Sequence, residues 1–236
     1  MNTTALIVAA GTGSRMGEDA PKAYLPLAGR PLLAHCLEIF QAHGEVDAIV
    51  LMVAGPMLET AKGIGRGFPK VRNVAVGGTR RQDTVRLGLD QLAQLGLAGP
   101  EDFVLVHDAA RPFVQPDLIA TVLSAARRVG AAVPAVSPGD TVRRVSAPAA
   151  PGDDRLSAGT LSREEIVLIQ TPQGFRVGLL LEAFERAGKS VVTDDAALVE
   201  LIGHPVAVVS GSARNIKITI PQDLALARAL LSAEER

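Results

Sequence analysis

Tryptophan is absent from this 236-residue chain, and tyrosine and cysteine occur once each. The lone Cys36 has no partner for an internal disulfide, so nothing asks for an oxidising compartment and the cytoplasm is the expectation. Hydrophobic residues make up 47% of the chain, but they fall in short runs broken by Gly, Pro or charge, none near the roughly 18 apolar residues that a membrane span needs. Neither sign of charge dominates. The 24 Lys and Arg stand against 25 Asp and Glu, a formal net charge of -1, which argues against a nucleic-acid binder working through a large positive field. A local basic site for a small anion stays open. The opening MNTTALIVAAGTGSR has no basic leader region and breaks into glycine and threonine, so it is expected to form a buried strand rather than a signal peptide. Missing too are a G-x-S-x-G elbow, a zinc-type spacing of Cys and His, and the paired acids of a covalent catalyst. Phosphoryl or nucleotidyl transfer needs none of these, only alignment and stabilisation of the charge on the transferring phosphate.

What is present is a rhythm of strands and helices, in a length that holds one substantial core. Residues 5–10, ALIVAA, are uninterrupted and β-branched at the centre, as in a strand covered on both faces. Pro31 opens a helix in which Leu33, Cys36, Leu37 and Phe40 share a face, which makes Cys36 a core residue, and Gly44 can close it. Strands are predicted over 48–53, 71–76, 103–106 and 131–136, with helices from Met57, from Asp83 and from Asp117 to Gly130. Later come a strand at 166–169, helices at 177–187 and 194–202, strands at 206–209 and 215–220, and a last helix opened by Pro221. This alternation predicts a single α/β domain over 1–236, built on an open sheet with right-handed crossovers. Residues 139–160 break the rhythm. TVRRV can extend, but SAPAAPGDD cannot pack a core, so the segment is expected to be a surface loop or an arm ordered against a partner subunit.

Ligands of open α/β sheets gather at the carboxyl ends of the strands. The first strand delivers Gly11, Gly13, Arg15 and Gly17, with Lys22 a little further on. The glycines can bring backbone N–H groups to phosphate oxygens while the Arg15 guanidinium clamps them. The spacing is G-x-G-x-x-x-G without a P-loop ending, and the second strand ends in Val53-Ala54-Gly55 with no acid for a ribose, which speaks against a nicotinamide dinucleotide. Asp108, where the 103–106 strand gives out, is a candidate ligand for a Mg²⁺ that bridges phosphates. Its alternatives are a helix cap or a salt bridge to Arg111. His107 is read as structural, because no ligand set accompanies it. Further candidates are Gly77-Gly78-Thr79-Arg80-Arg81 with Thr84, Thr171-Pro172-Gln173, Thr193-Asp194-Asp195, and Asn215-Ile216-Lys217. Lys217 alternates with Ile216 and Ile218 and so faces the other way, toward solvent or a cleft.

The segments MNTTALIVAAGTGSRMG, PKAYLPLAGRPLL, VAVGGTRRQDTV, VLVHDAARPF, QTPQGF, VTDDA and RNIKIT occur in one order across nearly the whole chain. Together they resemble the cytidylyltransferases that make 4-diphosphocytidyl-2-C-methyl-D-erythritol from 2-C-methyl-D-erythritol 4-phosphate and CTP. The resemblance implies a Rossmann-like, mostly parallel twisted sheet with helices on both faces, of the nucleotide-diphospho-sugar transferase type. It implies that Ala9, Ala10, Gly11, Gly78 and Thr84, with Gly13 in the same loop, line the CTP pocket, and that Arg15 and Lys22 stabilise the pentavalent transition state. Asp108, Arg111, Thr141, Arg163, Thr171, Thr193 and Lys217 would surround the second substrate, Arg163 and Lys217 positioning its phosphate. Mg²⁺ would organise the triphosphate. Such enzymes are homodimers in which an arm, here 139–160, reaches the neighbouring site. Thr79 and Ser162 depart from the commoner family pattern. Relatives acting on ribitol or ribulose 5-phosphate share most of these motifs, and a nucleotide-binding module without turnover would have no use for cations aimed at a reacting phosphate.

Overall fold

The apolar run at the amino terminus becomes the middle of a sheet. In the computed structural model, which describes residues 1–11, 21–148, 150, 152–188 and 190–234, β1 (Thr3–Ala9) lies between β4 (Ala48–Val53) and β6 (Phe103–Asp108). It pairs in parallel with both, Leu6 opposite Val50 on one side and Val106 on the other. β5 (Val71–Val76) extends the parallel ladder beyond β4 and forms one edge. On the other side, β11 (Gln173–Arg176) runs antiparallel between β6 and β7 (Ala131–Val136). β12 (Ala207–Ser210) pairs in parallel with the far edge of β7, and β10 (Leu168–Ile169) continues the line of β11 along its near edge. Among the described residues this gives one eight-stranded, mostly parallel open sheet. Two small hairpins stand apart, β2 (Pro26–Leu27) with β3 (Arg30–Pro31), and β8 (Arg143–Val145) with β9 (Ser157–Thr160).

The period-two alternation of β1 sorts the helices. Ala5, Ile7 and Ala9 pack with α1 (Leu32–Ala42), α2 (Leu58–Gly65) and α4 (Pro116–Val129), and Cys36 is buried there as the helical spacing requires. Leu6 and Val8 face α3 (Arg81–Gln94), α5 (Val177–Ala187) and α6 (Asp195–Leu201). A third cluster, with Leu25, Leu27, Phe113, Ile218 and Leu224, docks α7 (Pro221–Glu234) beside the strand ends. No helix among the described residues is long and apolar enough to cross a membrane.

The helix and strand sequence matches the expected rhythm, but the β2–β3 hairpin was not foreseen, β10 keeps only 168–169 of the expected 166–169, and four further differences touch the site. β6 runs on through His107 and Asp108, which pair with Ile7 and Val8. α3 opens at Arg81 rather than Asp83, because Asp83 caps it from inside by accepting the Arg80 N–H at 3.3 Å. β11 was not foreseen: it has one large apolar side chain, Phe175, and Gly174 lets α4 come close, since a Cβ there would sit 3.0 Å from Val122. The expected strand over 215–220 is an extended segment outside the sheet, tied to the loop after β6 by the Ile218 N–H to the Ala110 carbonyl at 2.9 Å. The 139–160 segment forms the β8–β9 hairpin, exposed along both strands.

Candidate active site

Strand ends build the site from three directions. β1 delivers Ala9, Ala10 and Gly11, the turn after β5 delivers Gly78, and β6 delivers Asp108, Ala109 and Ala110. With Lys22, Arg81, Thr84 and Lys217 these line a pocket of about 190 Å³. The glycine pair is sterically required: a Cβ on Gly77 would lie 2.7 Å from that of Ala10, and one on Gly78 2.5 Å from that of Asp83. Thr84 is buried and holds this wall, donating to the Arg80 carbonyl at 3.0 Å and accepting the Gly78 N–H at 3.1 Å.

At the floor lies Asp108, 7% exposed. Its Oδ1 accepts from Arg81 Nε at 3.0 Å and its Oδ2 from Lys217 Nζ at 2.6 Å. Arg81 turns its other edge to Asp195, Nη1 to Oδ2 at 2.6 Å. Burial alone would raise the Asp108 carboxyl, but Arg81 and Lys217 together hold it well below the usual carboxylate range. Asp195 is buried with Arg81 as its cationic partner and with Asp108 and Asp194 as like charges nearby, so burial prevails and pushes it up. For Arg81, the two carboxylates outweigh burial and raise an already high value.

Beneath Asp108 runs a buried polar web. Thr171 Oγ1 accepts the Asp108 N–H at 3.1 Å and lies 3.2 Å from His107 Nδ1. His107 Nε2 reaches the Arg111 carbonyl at 3.1 Å, Arg111 Nη1 donates to the Asn215 carbonyl at 2.7 Å, and Asn215 Nδ2 donates to the Thr171 carbonyl at 2.8 Å. Burial lowers His107 to about 4, keeping the ring neutral near pH 7. Burial likewise lowers Arg111, against the pull of Asp108.

Residues 3–233 match the model of the family described as IspD, 2-C-methyl-D-erythritol 4-phosphate cytidylyltransferase. The chain belongs to this family. It is 43% identical over 229 residues to a 2-C-methyl-D-erythritol 4-phosphate cytidylyltransferase of Dehalococcoides mccartyi, covering 96% of this chain and 95% of the relative. It is 45% identical over 235 residues to a bifunctional IspD/IspF enzyme of Desulforudis audaxviator, covering 98% of this chain and 57% of that longer protein. The crystal structure of the Thermus thermophilus 2-C-methyl-D-erythritol 4-phosphate cytidylyltransferase superposes with a TM-score of 0.75 at 38% identity, covering 98% of this chain and 100% of the other.

Of the residues the family resemblance singled out, Ala9, Ala10, Gly11, Lys22, Gly78, Thr84, Asp108 and Lys217 line the one pocket, and Arg111 and Thr171 join it through the web. Gly13 and Arg15 lie outside the described residues. Thr141, Arg163 and Thr193 are exposed, and Arg163 reaches no further than the Gly139 carbonyl, at 3.5 Å. Asp108 does not pair with Arg111. Its partners are Arg81 and Lys217, and both of its oxygens are engaged, while Asp195 binds the far edge of the same guanidinium. Among the described residues there is no group of three His, Cys, Asp or Glu that could hold a metal. As it stands Asp108 is the centre of an ion-pair hub; a Mg²⁺ held mainly by substrate phosphates needs one or two carboxylates, and Asp108 would serve it by giving up one of its cation partners. Arg81 and Asp195 lay inside candidate motifs without an assigned role, and His107 and Asn215 proved to be the links of the web.

Proposed function

We propose that this chain transfers the cytidylyl group of CTP to 2-C-methyl-D-erythritol 4-phosphate, forming 4-diphosphocytidyl-2-C-methyl-D-erythritol and pyrophosphate. The observation that carries the reading is that Lys22 and Lys217 line the same small pocket, between the glycine-shaped wall and the Asp108 hub. A non-bridging oxygen of the acceptor phosphate attacks the α-phosphorus in line, the new P–O bond forms as the bond to the β-phosphate breaks, and pyrophosphate leaves with the electron pair. No proton has to move, so no general base is called for. Lys22, with Arg15 by resemblance, takes up the negative charge that develops on the α-phosphate, a stabilisation worth most where water is excluded. Lys217, held at one end by Asp108, meets the incoming phosphate and fixes its line of approach.

Arg163 belongs to the proposal as the second clamp on that phosphate, supplied by the partner of a homodimer. The exposure of its side chain, next to an exposed hairpin and with a long 3.5 Å hydrogen bond to the Gly139 carbonyl, supports this. A requirement for a divalent cation is also part of the proposal, as is a cytoplasmic setting. The test is pyrophosphate release by the purified protein. Release is expected only when CTP, methylerythritol phosphate and Mg²⁺ are all present, and to stop on addition of EDTA. Release without the acceptor, or none with all three, overturns the reading.

A further inference from the structure

Arg81 is stretched between two carboxylates and spends one nitrogen on each. Its Nε meets Asp108 Oδ1 at 3.0 Å and its Nη1 meets Asp195 Oδ2 at 2.6 Å. The third nitrogen, Nη2, stands beside Nε on the same edge of the guanidinium, and it is buried with no partner among the described residues. A guanidinium and a carboxylate that meet freely tend to do so through two parallel bonds, and the Nε–Nη2 edge is one of the forks that can make them. Here the bond is single, because the other Asp108 oxygen is taken by Lys217 Nζ at 2.6 Å. Asp195, at the far end, is a fixed post. It is 1% exposed and sits in the first turn of α6. Its neighbour Asp194 caps that helix by accepting the Ala197 N–H at 3.2 Å and is held to β11 by Gln173 Nε2 at 2.8 Å.

We infer that Asp195 is a positioning residue: by holding Arg81 through Nη1 it keeps the guanidinium from closing on Asp108 with both prongs, and so reserves the second Asp108 oxygen for Lys217. Without that hold, the guanidinium can turn until Nε and Nη2 both face the carboxylate. A charge-assisted fork outweighs the single bond of an ammonium whose side chain is 38% exposed and can go to water instead, so Lys217 is displaced. The ammonium then loses its fixed place in the pocket. Asp195 is not in the pocket lining, whereas Arg81, Asp108 and Lys217 all are, so its effect on the reaction passes through Arg81 and Asp108. This assignment rests on the proposed function for what Lys217 does with an acceptor phosphate, but not for the arrangement of the four side chains.

The test has two arms. In a crystal structure of Asp195→Ala, Arg81 should meet Asp108 through both Nε and Nη2, with Lys217 Nζ beyond hydrogen-bond distance of either oxygen; Lys217 still on Asp108 overturns the inference. The second arm is steady-state kinetics, on variants shown by circular dichroism to be folded at the assay temperature. Asp195→Ala should lower kcat/KM for the acceptor about tenfold, the low end for a hydrogen bond to a charged group, with KM for CTP unchanged within about twofold. Asp195→Asn, whose amide oxygen can still accept from Nη1, should stay within about threefold of wild type. Adding Arg81→Met to Asp195→Ala should recover part of the loss, because it removes the competitor for Asp108; a role confined to bracing the fold gives no such recovery. Without Arg81, Asp195 has nothing to hold, so Arg81→Met and the double variant should agree in acceptor kcat/KM within about twofold. That comparison decides even where Asp195→Ala alone does not fold. A further loss in the double variant, or a loss that falls on CTP, overturns the inference. If the wild-type protein turns over no alcohol phosphate, the proposed function fails and the crystal structure of Asp195→Ala alone decides the assignment.

Discussion

Replacing Asp108 by Asn keeps the size and an acceptor oxygen but removes the charge that two cations share. Arg81 Nε lies 3.0 Å and Lys217 Nζ 2.6 Å from its oxygens. Breaking a buried ion pair by removing one partner costs about 3–5 kcal/mol, because the other charge stays buried and uncompensated. Two features place this case at the lower end. Arg81 retains Asp195, and the Lys217 side chain is 38% exposed and can turn toward water, which screens its share. The expected loss is about 3 kcal/mol at pH 7, a large part of the roughly 5–15 kcal/mol that a domain has. The pH dependence gives a second check. The folded-state pKa of Asp108 is depressed, so its contribution is complete above the unfolded carboxylate value of about 3.9 and is lost as pH falls toward the folded value. The stability gap between wild type and Asp108→Asn should therefore be constant from neutral pH to about pH 5 and should shrink below about pH 4. Urea unfolding followed by circular dichroism measures it as a shift in midpoint at unchanged slope. Equal stability at pH 7, or a gap that widens in acid, would refute the ion-pair hub.

Lys22→Ala should lower kcat by about 100–1000-fold, the effect of losing one preorganised donor to a developing oxyanion, with little change in KM for CTP; a rise in KM alone would make Lys22 a ground-state binder. Arg163→Ala and Lys217→Ala homodimers should each be nearly inactive. Refolded together, they should recover about a quarter of wild-type activity, since half the dimers are mixed and one site in each mixed dimer has both clamps. No recovery, with mixed dimers confirmed by native mass spectrometry, would assign both residues to the same chain's site.

Much of this molecule is legible in its sequence because its central strands are buried on both faces. β4 is, and β1 and β6 contain, a run of adjacent apolar residues, and their helices carry one apolar stripe each, signals that need no knowledge of the rest of the chain. β11 carries no such signal. Gln173, Gly174 and Arg176 are in a strand only because β6 and β7 leave a gap for it, and that gap is a property of the whole sheet. The 215–220 segment shows the converse. Its Ile-Lys-Ile alternation is real, with Ile218 buried and Lys217 turned to the pocket, but alternation fixes only an extended backbone, not a hydrogen-bonded neighbour. The site divides in the same way. The glycines and lysines at strand ends were visible as residue types in the right places. The partners of Asp108 were not, because Lys217 lies 109 residues away and the Arg81 guanidinium reaches 114 residues to Asp195. A salt bridge to Arg111, near in sequence, was one of the alternatives for Asp108, and Arg111 instead turns to Asn215.

The central claim is the identity of the acceptor, and specificity constants over a small panel test it most directly. With CTP and Mg²⁺ fixed, kcat/KM is measured by pyrophosphate release for 2-C-methyl-D-erythritol 4-phosphate, ribitol 5-phosphate and ribulose 5-phosphate. Methylerythritol phosphate should exceed both others by at least about tenfold, the discrimination that a few placed contacts to the alcohol portion provide. A higher constant for ribitol 5-phosphate or ribulose 5-phosphate would contradict the assignment while leaving the cytidylyl-transfer chemistry in place.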